Sequence, residues 1–447
     1  MTKTQKSSDY IEQQRKNYAL YVIQNRALVS ICDGLKTGGR RVLWMARKGD
    51  KEKTATLAGA TMPIHPHQEP SGAINTLTAP YGNNIPLFDG YGAFGTLLAP
   101  TSYGHARYTS VKLSQFTKDV VLADIELIEM IDNYDQTRHE PKNFLPLIPL
   151  TLLNPSEGIA VGFASTILPR SLSDIIKSQI TFLNGKAVKD VMPEFYPFDS
   201  KAYSQDKNGK WLFQVSVNRI NSFEVKITHL PYNTGYAKLI TRLDKLLEAG
   251  TIKDYEDSSS DEICVVVKFP RGYLATKTDL QIQTLLELTT KVSENFNVLD
   301  FAGLKVLVGV GYVKTIEKFT KWRLRYYKQR YKRLLKLQEA TSQKYRDIIL
   351  AIKNDIGKRA STLSNRATLK MFIKDIGVVN VDYIADLPIY RFTVEERDKV
   401  KQLLDSSMKI EKEMSDIISS PDKLKDIYIN ELKTIQSNFK KGKYSTI

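Results

Sequence analysis

From about Lys314 onward the sequence settles into a spacing that only long helices can use. Ile316, Phe319, Trp322 and Tyr326, then Tyr345, Ile348, Ile352 and Ile356, recur at intervals of three and four. Such intervals put them on one face of a helix with 3.6 residues per turn. The run predicts one long helix or a pair of them. Residues 398–439 read as helical again, with a polar break at Ser419-Ser-Pro-Asp, and could lie antiparallel to the first run as a coiled coil. Between the two arms, Tyr383-Ile-Ala-Asp-Leu-Pro-Ile-Tyr-Arg-Phe forms a compact apolar knob. Arms of this kind account for less than half of 447 residues, and a chain of that length is too long for one core, so two to four compact units are expected.

The remainder reads differently. In residues 10–46, Tyr18, Tyr21, Val22, Ala27 and Leu28 predict one buried helical stripe, interrupted by Cys32-Asp-Gly-Leu-Lys-Thr-Gly-Gly and resumed at Arg40-Arg-Val-Leu-Trp-Met-Ala-Arg. Two helices across a glycine turn suit a helix-turn-helix or winged-helix unit. Residues 61–104, rich in Gly, Pro and aromatics, read as long ordered loops around short helices, the kind of segment that carries function. Residues near 142–305 read as a mixed α/β unit. Its strands are predicted at Leu212–Val217, Phe223–Thr228 and Ile263–Phe269, its helices over Ala237–Leu247 and Leu280–Val292, and a solvated connection over Asp254–Glu262.

Charge narrows the partner. Lys and Arg number 65 against 49 Asp and Glu, a net charge of +16, which suits a polyanion such as nucleic acid. Lys314–Asp347 alone holds twelve basic against three acidic residues; that run fits a solvated face or a DNA-facing one. No stretch approaches 18 consecutive apolar residues and no signal peptide is read, so no membrane association and a cytoplasmic setting are expected. Cys32 and Cys264 offer neither a disulfide framework nor zinc spacing.

In Gly104-His-Ala-Arg-Tyr-Thr-Ser, Arg107 stands beside Tyr108. A tyrosine can attack a phosphodiester, and the aryl phosphate it forms has a good leaving group because phenol has a pKa of about 10. The bond energy is kept, so a sugar hydroxyl can reverse the step without fuel. An adjacent guanidinium can hold a phosphate oxygen and offset charge in the transition state. His65-Pro-His67 could hold a metal through alternate residues, but no Cys, Asp or Glu cluster lies nearby at ligand spacing, which favours a structural or phosphate-contacting role. Gly90-Tyr-Gly-Ala-Phe-Gly fits a dinucleotide fingerprint only as a bare pattern: no β-branched strand is expected to lead in, Pro100 blocks an early helix and no acidic residue follows near 110–115. Its glycines serve phosphate approach or tight turns.

Taken in order, several segments carry a resemblance. They are Tyr18-Ala-Leu-Tyr-Val-Ile-Gln-Asn-Arg-Ala-Leu, Asp33-Gly-Leu-Lys, Arg40-Arg-Val-Leu, His65-Pro-His, Leu87-Phe-Asp-Gly-Tyr-Gly-Ala-Phe-Gly-Thr, Ala106-Arg-Tyr-Thr, Asp132-Asn-Tyr-Asp, Pro146-Leu-Ile-Pro, Gly158-Ile-Ala-Val-Gly and Leu230-Pro-Tyr. From about Tyr18 to its closing helices the chain resembles the breakage-reunion subunits of type IIA DNA topoisomerases. The resemblance implies an α+β multidomain fold: a winged-helix DNA-binding domain (1–141), a mixed α/β tower domain (142–305), and coiled-coil arms ending in a helical dimer gate (306–447). It implies that Tyr108 bonds covalently to a 5′ phosphate, that Arg107 steadies that phosphate, and that Arg26, Lys36, Arg40, Arg41, His65 and His67 lie near the DNA. It places Ile159 where an apolar side chain wedges between base pairs.

The same resemblance implies double-stranded DNA as partner, a homodimer, and separate ATPase and TOPRIM-type subunits. ATP and Mg²⁺ would be bound there, since this sequence shows no phosphate-binding P-loop and no Asp-x-Asp metal module. The chain stops shortly after its last helix, from which relaxation without DNA wrapping is expected. Two departures stand out: Gln68-Glu-Pro-Ser-Gly after His67, one residue longer than the family pattern, and Thr37-Gly-Gly before Arg40 in place of Pro-Val-His. A tyrosine recombinase would need His-x-x-Arg, which is lacking, and a nucleophilic tyrosine close to the C-terminus, whereas Tyr108 is early. A non-enzymatic winged-helix architectural protein would keep DNA binding and lose the covalent step.

Overall fold

A computed structural model of the chain describes residues 7–66 and 70–444. The chain divides into two compact units, Met1–Arg323 with Ile429–Ile447, and Leu324–Tyr428.

The first unit begins with the helix Ser7–Val22, which buries none of its residues. Tyr18, expected inside a buried stripe, is exposed; Tyr21 and Val22 are half-buried, and of the five stripe residues only Ala27 and Leu28 are buried. Helical spacing reports an amphipathic face but not what covers it. A wider π-type turn, Ile23–Ala27, follows. Next come the helices Thr37–Ala46, Thr54–Thr61 and Ser71–Thr78, with a three-stranded antiparallel sheet in the order Glu52–Lys53, Ser110–Leu113, Phe88–Tyr91. Helix, strand, helix, helix, strand, wing, strand is the winged-helix order. The helix-turn-helix pair is therefore Thr54–Thr61 with Ser71–Thr78, downstream of the pair expected in residues 10–46. Val42, Leu43, Leu57, Ile74, Phe88 and Val111 fill its interior. Each such side chain contributes about 1.5–3 kcal/mol of burial.

A two-stranded hairpin, Ser156–Ala160 with Phe163–Ile167, leads out of this region. Beyond it lie two four-stranded antiparallel sheets. The first runs Thr289–Val292, Trp211–Gln214, Ser200–Gln205, Glu194–Phe195, and the second Asn218–Arg219, Glu224–Ile227, Val265–Lys268, Asp254–Asp257. Val225, Ile227, Val265 and Val267 point inward onto Leu239, Leu243 and Leu246 of the helix Tyr236–Glu248. Two expectations change here. The helical reading of Leu280–Val292 holds only for Asp279–Leu285, which a Thr278–Gln281 capping box starts; Glu287 then takes φ 55° and Thr289–Val292 pairs with Trp211–Gln214. Asp254–Asp257, expected as a solvated connection, is an edge strand, and its charges suit an edge that must not recruit another strand.

The helix Tyr312–Lys353, 42 residues and about 63 Å long, starts in the first unit; its portion from Leu324 onward supplies one arm of the second unit and Val394–Ser419 the other. The arms are antiparallel: the Ser342 and Ser407 hydroxyls pair at 2.6 Å, and the Tyr327 and Tyr428 rings lie 4.7 Å apart. Pro421 restarts the second run as Pro421–Lys440. At the far end, Ile348, Ile352 and Ile356 pack with Ile373, Ile384 and Val400. The buried Asp347 carboxylate holds the backbone N–H groups of Val379 and Asn380 at 3.1 and 2.8 Å. Among the described residues no helix is long and apolar enough to cross a membrane.

Candidate active site

Tyr108 lies in the loop that leaves the strand Phe88–Tyr91 and returns as Ser110–Leu113. The loop folds tightly. Gly92 and Gly95 take φ of +103° and +98°, and a Cβ on Gly95 would run into the Pro100 carbonyl. A Cβ on Gly90 would meet the Phe94 ring and the Thr78 side chain. These glycines serve turns and close packing. Contrary to expectation a short strand, Phe88–Tyr91, leads in and takes up the first two residues of the motif, but no helix follows it.

The last turn of the loop is clamped to the start of the helix Thr54–Thr61. The Ala55 and Thr54 N–H groups donate to the Ala106 and Thr109 carbonyls, both at 3.1 Å, and the buried Thr109 hydroxyl donates to that of Thr54 at 2.8 Å. Tyr108 N–H donates to His105 O at 2.9 Å, and Lys53 Nζ reaches Tyr108 O at 3.4 Å. On this fixed backbone the Tyr108 side chain points outward, 68% exposed. The Arg107 guanidinium stands 4.7 Å from its ring centroid. Among the described residues the phenol has no hydrogen-bond partner. Lys53 and the Thr54–Thr109 pair were not legible in the sequence, because 55 positions separate each from its partner.

A second group gathers elsewhere. A cleft of about 420 Å³ is lined by Tyr21, Asn25, Arg26, Arg41 and His65 among others. Arg26 is exposed on the π-type turn. Arg41 is largely buried and ion-paired with Glu140. His65 Nε2 meets the Tyr21 hydroxyl at 3.1 Å, and Tyr134 packs edge-on against the imidazole at 5.4 Å. His67 and the Gln68-Glu69 departure lie outside the described residues. Tyr108 and Arg107 do not line this cleft.

Arg40 does not join them. Its guanidinium is buried against Asp33, at 2.7 and 3.0 Å, and also reaches the Leu35 carbonyl, while Asp33 accepts the N–H of Phe144 at 3.0 Å. Lys36 is half-buried, with Nζ donating to the Glu157 carbonyl at 2.7 Å. Burial pulls its ammonium below the ordinary lysine range, with Glu157 opposing and Arg26 adding to the shift. Glu157 begins the outer face of the hairpin, and Ile159, two residues on, is 87% exposed. A Cβ on Gly158 would overlap the Ala27 carbonyl, so the hairpin rests backbone to backbone on the π-type turn that carries Arg26.

The family of DNA gyrase/topoisomerase IV A subunits matches residues 26–433. The DNA topoisomerase medium subunit of Enterobacteria phage T4 is 26% identical over 412 residues, covering 88% of this chain and 91% of that one. The DNA topoisomerase 4 A subunit of Borreliella burgdorferi is 30% identical over 292 residues, 63% of this chain and 45% of the relative. That of Pseudomonas aeruginosa is 25% identical over 459 residues, 95% and 60%. The chain thus spans about half the length of these bacterial relatives. A crystal structure of the Plasmodium falciparum topoisomerase II DNA-binding, cleavage and re-ligation domain shares the fold, with a TM-score of 0.80, 22% identity, and coverage of 96% of this chain and 64% of that one. With the match running from the π-type turn through the return arm, this chain belongs to the family of DNA gyrase and topoisomerase IV A subunits.

Proposed function

We propose that the chain is the DNA cleavage and religation subunit of an ATP-dependent type II DNA topoisomerase, with Tyr108 as nucleophile. The observation that carries this reading is an exposed, unpartnered phenol on a turn clamped at both flanks, with a guanidinium alongside. A nucleophile needs its approach line open and its backbone fixed, and water exclusion can come from the bound duplex itself. The phenolic oxygen bonds to phosphorus as the bond from phosphorus to the 3′ oxygen breaks. The phenol gives up its proton and the departing 3′ oxygen takes one. The 5′ end stays on Tyr108, and the reverse displacement reseals the strand. Arg107 steadies the phosphate oxygens as charge gathers on them.

In this reading the cleft with Arg26, Arg41 and His65, together with His67 and Lys36, lies along the DNA backbone, and Ile159 enters the base stack to bend it. Arg40 acts as a positioning residue, holding the Asp33–Leu35 turn below these groups. The working division is the winged-helix domain (1–141), the tower (142–305), and the arms with the gate (306–447). One tyrosine cuts one strand, so a double-strand break needs two copies about a twofold axis. Among the described residues no three His, Cys, Asp or Glu side chains gather to hold a metal ion. We assign Mg²⁺ and ATP to a partner subunit. The non-enzymatic reading leaves the exposed Arg107–Tyr108 pair without a task.

The test mixes the chain with its ATPase and metal-binding partner, labelled duplex and Mg²⁺, stops with detergent, and looks for label on protein. Wild type is expected to carry label; Tyr108→Phe is expected to carry none while binding duplex normally. Label that persists on the variant would overturn the assignment.

A further inference from the structure

The loop that carries Tyr108 is itself a small finger. Phe94 and Tyr103 face each other across an antiparallel bridge, and the Gly104 N–H donates to the Ala93 carbonyl at 2.9 Å. Beyond that bridge the tip closes on itself. Thr96 and Ala99 exchange backbone hydrogen bonds of 3.1 Å each, and the Ser102 N–H returns to the Ala99 carbonyl at 3.1 Å. Gly95, at φ +98° and packed on the Pro100 carbonyl, closes the neck. The base of the finger carries Tyr108 and its tip carries Leu97 and Leu98.

The tip does not end in solvent. Thr96 and Ala99 are exposed, but Leu97 between them is only 9% exposed. It belongs to the buried cluster that holds Phe195, Phe198, Val225, Leu243 and Ile263. Among the described residues every other buried member of that cluster comes from residues 195–288; Leu97 alone reaches it from the region before the tower. Leu98 and Tyr81, half-buried, pack against the edge of the same cluster. On the solvent side, Leu97 shares the wall of a cleft with Phe198 and Ile263. The finger is therefore held at two places: at its base by the helix Thr54–Thr61, and at its tip by the core that the tower's second sheet and the helix Tyr236–Glu248 build.

We propose that Leu97 is a positioning residue for DNA cleavage: seated in the tower core, it fixes the finger and so sets where the Tyr108 phenol stands. The inference rests on the reading of Tyr108 as the nucleophile. A stiff finger held only at its base can pivot, whereas one held at base and tip cannot. The phenol is exposed and has no hydrogen-bond partner of its own among the described residues, so its backbone has to aim it. Displacement at phosphorus tolerates little error in that aim, since a misplacement of about 1 Å can cost about a hundredfold in rate. Leu97 offers no group to the reaction and acts through the loop alone.

The test compares Leu97→Ala, Leu97→Met and Leu243→Ala with wild type, each full-length and assembled with its ATPase and metal-binding partner. Leu243 is a buried member of the same cluster on the helix Tyr236–Glu248, outside the finger. Two quantities are measured on a short labelled duplex with Mg²⁺: the dissociation constant, and the rate of adduct formation at saturating duplex. Leu97→Ala should slow the adduct at least tenfold (about 1.4 kcal/mol per factor of ten) while the dissociation constant stays within twofold. Leu97→Met, which keeps the side-chain volume, should stay within twofold in both. Leu243→Ala should lower the melting temperature and leave the rate within twofold. Hydrogen exchange should quicken at the amides of Tyr103–Thr109 in Leu97→Ala alone. If Leu97→Ala does not fold, Leu97→Val takes its place, with a loss of at least threefold expected. Cleavage at the wild-type rate in the Leu97 variant would overturn the proposal, as would a weaker dissociation constant with an unchanged saturated rate. An equal slowing in Leu243→Ala would overturn it too, by tracing the effect to the tower's stability. A wild-type protein that formed no adduct would instead overturn the reading of Tyr108, an outcome distinct from the others.

Discussion

At the scale of single residues, burial sorts basic side chains that look alike on paper. Arg40 and Arg41 are neighbours, yet Arg40 closes a buried pair with Asp33 whereas Arg41 lines a cleft and leans on Glu140. Arg40→Ala would strand the Asp33 carboxylate in the interior, at a cost of about 3–5 kcal/mol. Thermal unfolding should show that loss, and the Asp33→Ala/Arg40→Ala double variant should lose clearly less than the sum of the two singles. Additive losses would contradict the pairing. None of this was legible, because Asp33 lies seven positions before Arg40 and its other partner Phe144 lies 111 positions after it. Cys32 makes a second case. Burial, with the Asp33 carboxylate beside it, pushes the thiol from 9.0 up to about 12. The folded state then keeps a proton that the unfolded state releases, so the stabilisation is whole below about pH 9 and is lost as pH climbs toward 12. Between pH 8 and 11 the melting temperature of wild type should fall more steeply than that of Cys32→Ala; parallel curves would refute the shift.

At the scale of elements, what could be read depended on how far each element relies on distant partners. The arms were plain because heptad-like spacing is local, and Pro421 marked the break between Val394–Ser419 and Pro421–Lys440. The strand Thr289–Val292 was hidden inside a leucine-rich run because its identity is settled by Trp211–Gln214, nearly eighty residues earlier. Asp254–Asp257 was hidden by the charges that keep an edge strand from pairing further. The hairpin Ser156–Ala160 with Phe163–Ile167 depends on one contact that the sequence does not announce: Gly158 against the Ala27 carbonyl. Gly158→Ala is expected to lift the hairpin and with it Ile159. Duplex bending, followed by energy transfer between end labels, should fall about as far as in Ile159→Ala, while duplex affinity changes less than threefold. Wild-type bending in Gly158→Ala would show that the hairpin is not positioned by this contact.

At the scale of the whole molecule, the excess of 65 basic over 49 acidic residues falls into places with different tasks. Some cations are structural, as Arg40 and Arg323 are, and some line the cleft. The Arg107–Tyr108 pair was legible as chemistry, but the clamp that presents it was not, since Lys53 and Thr54 approach from across the winged-helix sheet. Cleavage and religation by this chain depend on a covalent bond between that phenol and the 5′ end of a cut strand. The most direct measurement traps the adduct with detergent, digests the protein and the DNA, and sequences the modified peptide by mass spectrometry. A nucleotide should be found on Tyr108, joined through a 5′ phosphate, with the 3′ end of the cut strand free. A nucleotide on any other residue, or one joined through a 3′ phosphate, would contradict it.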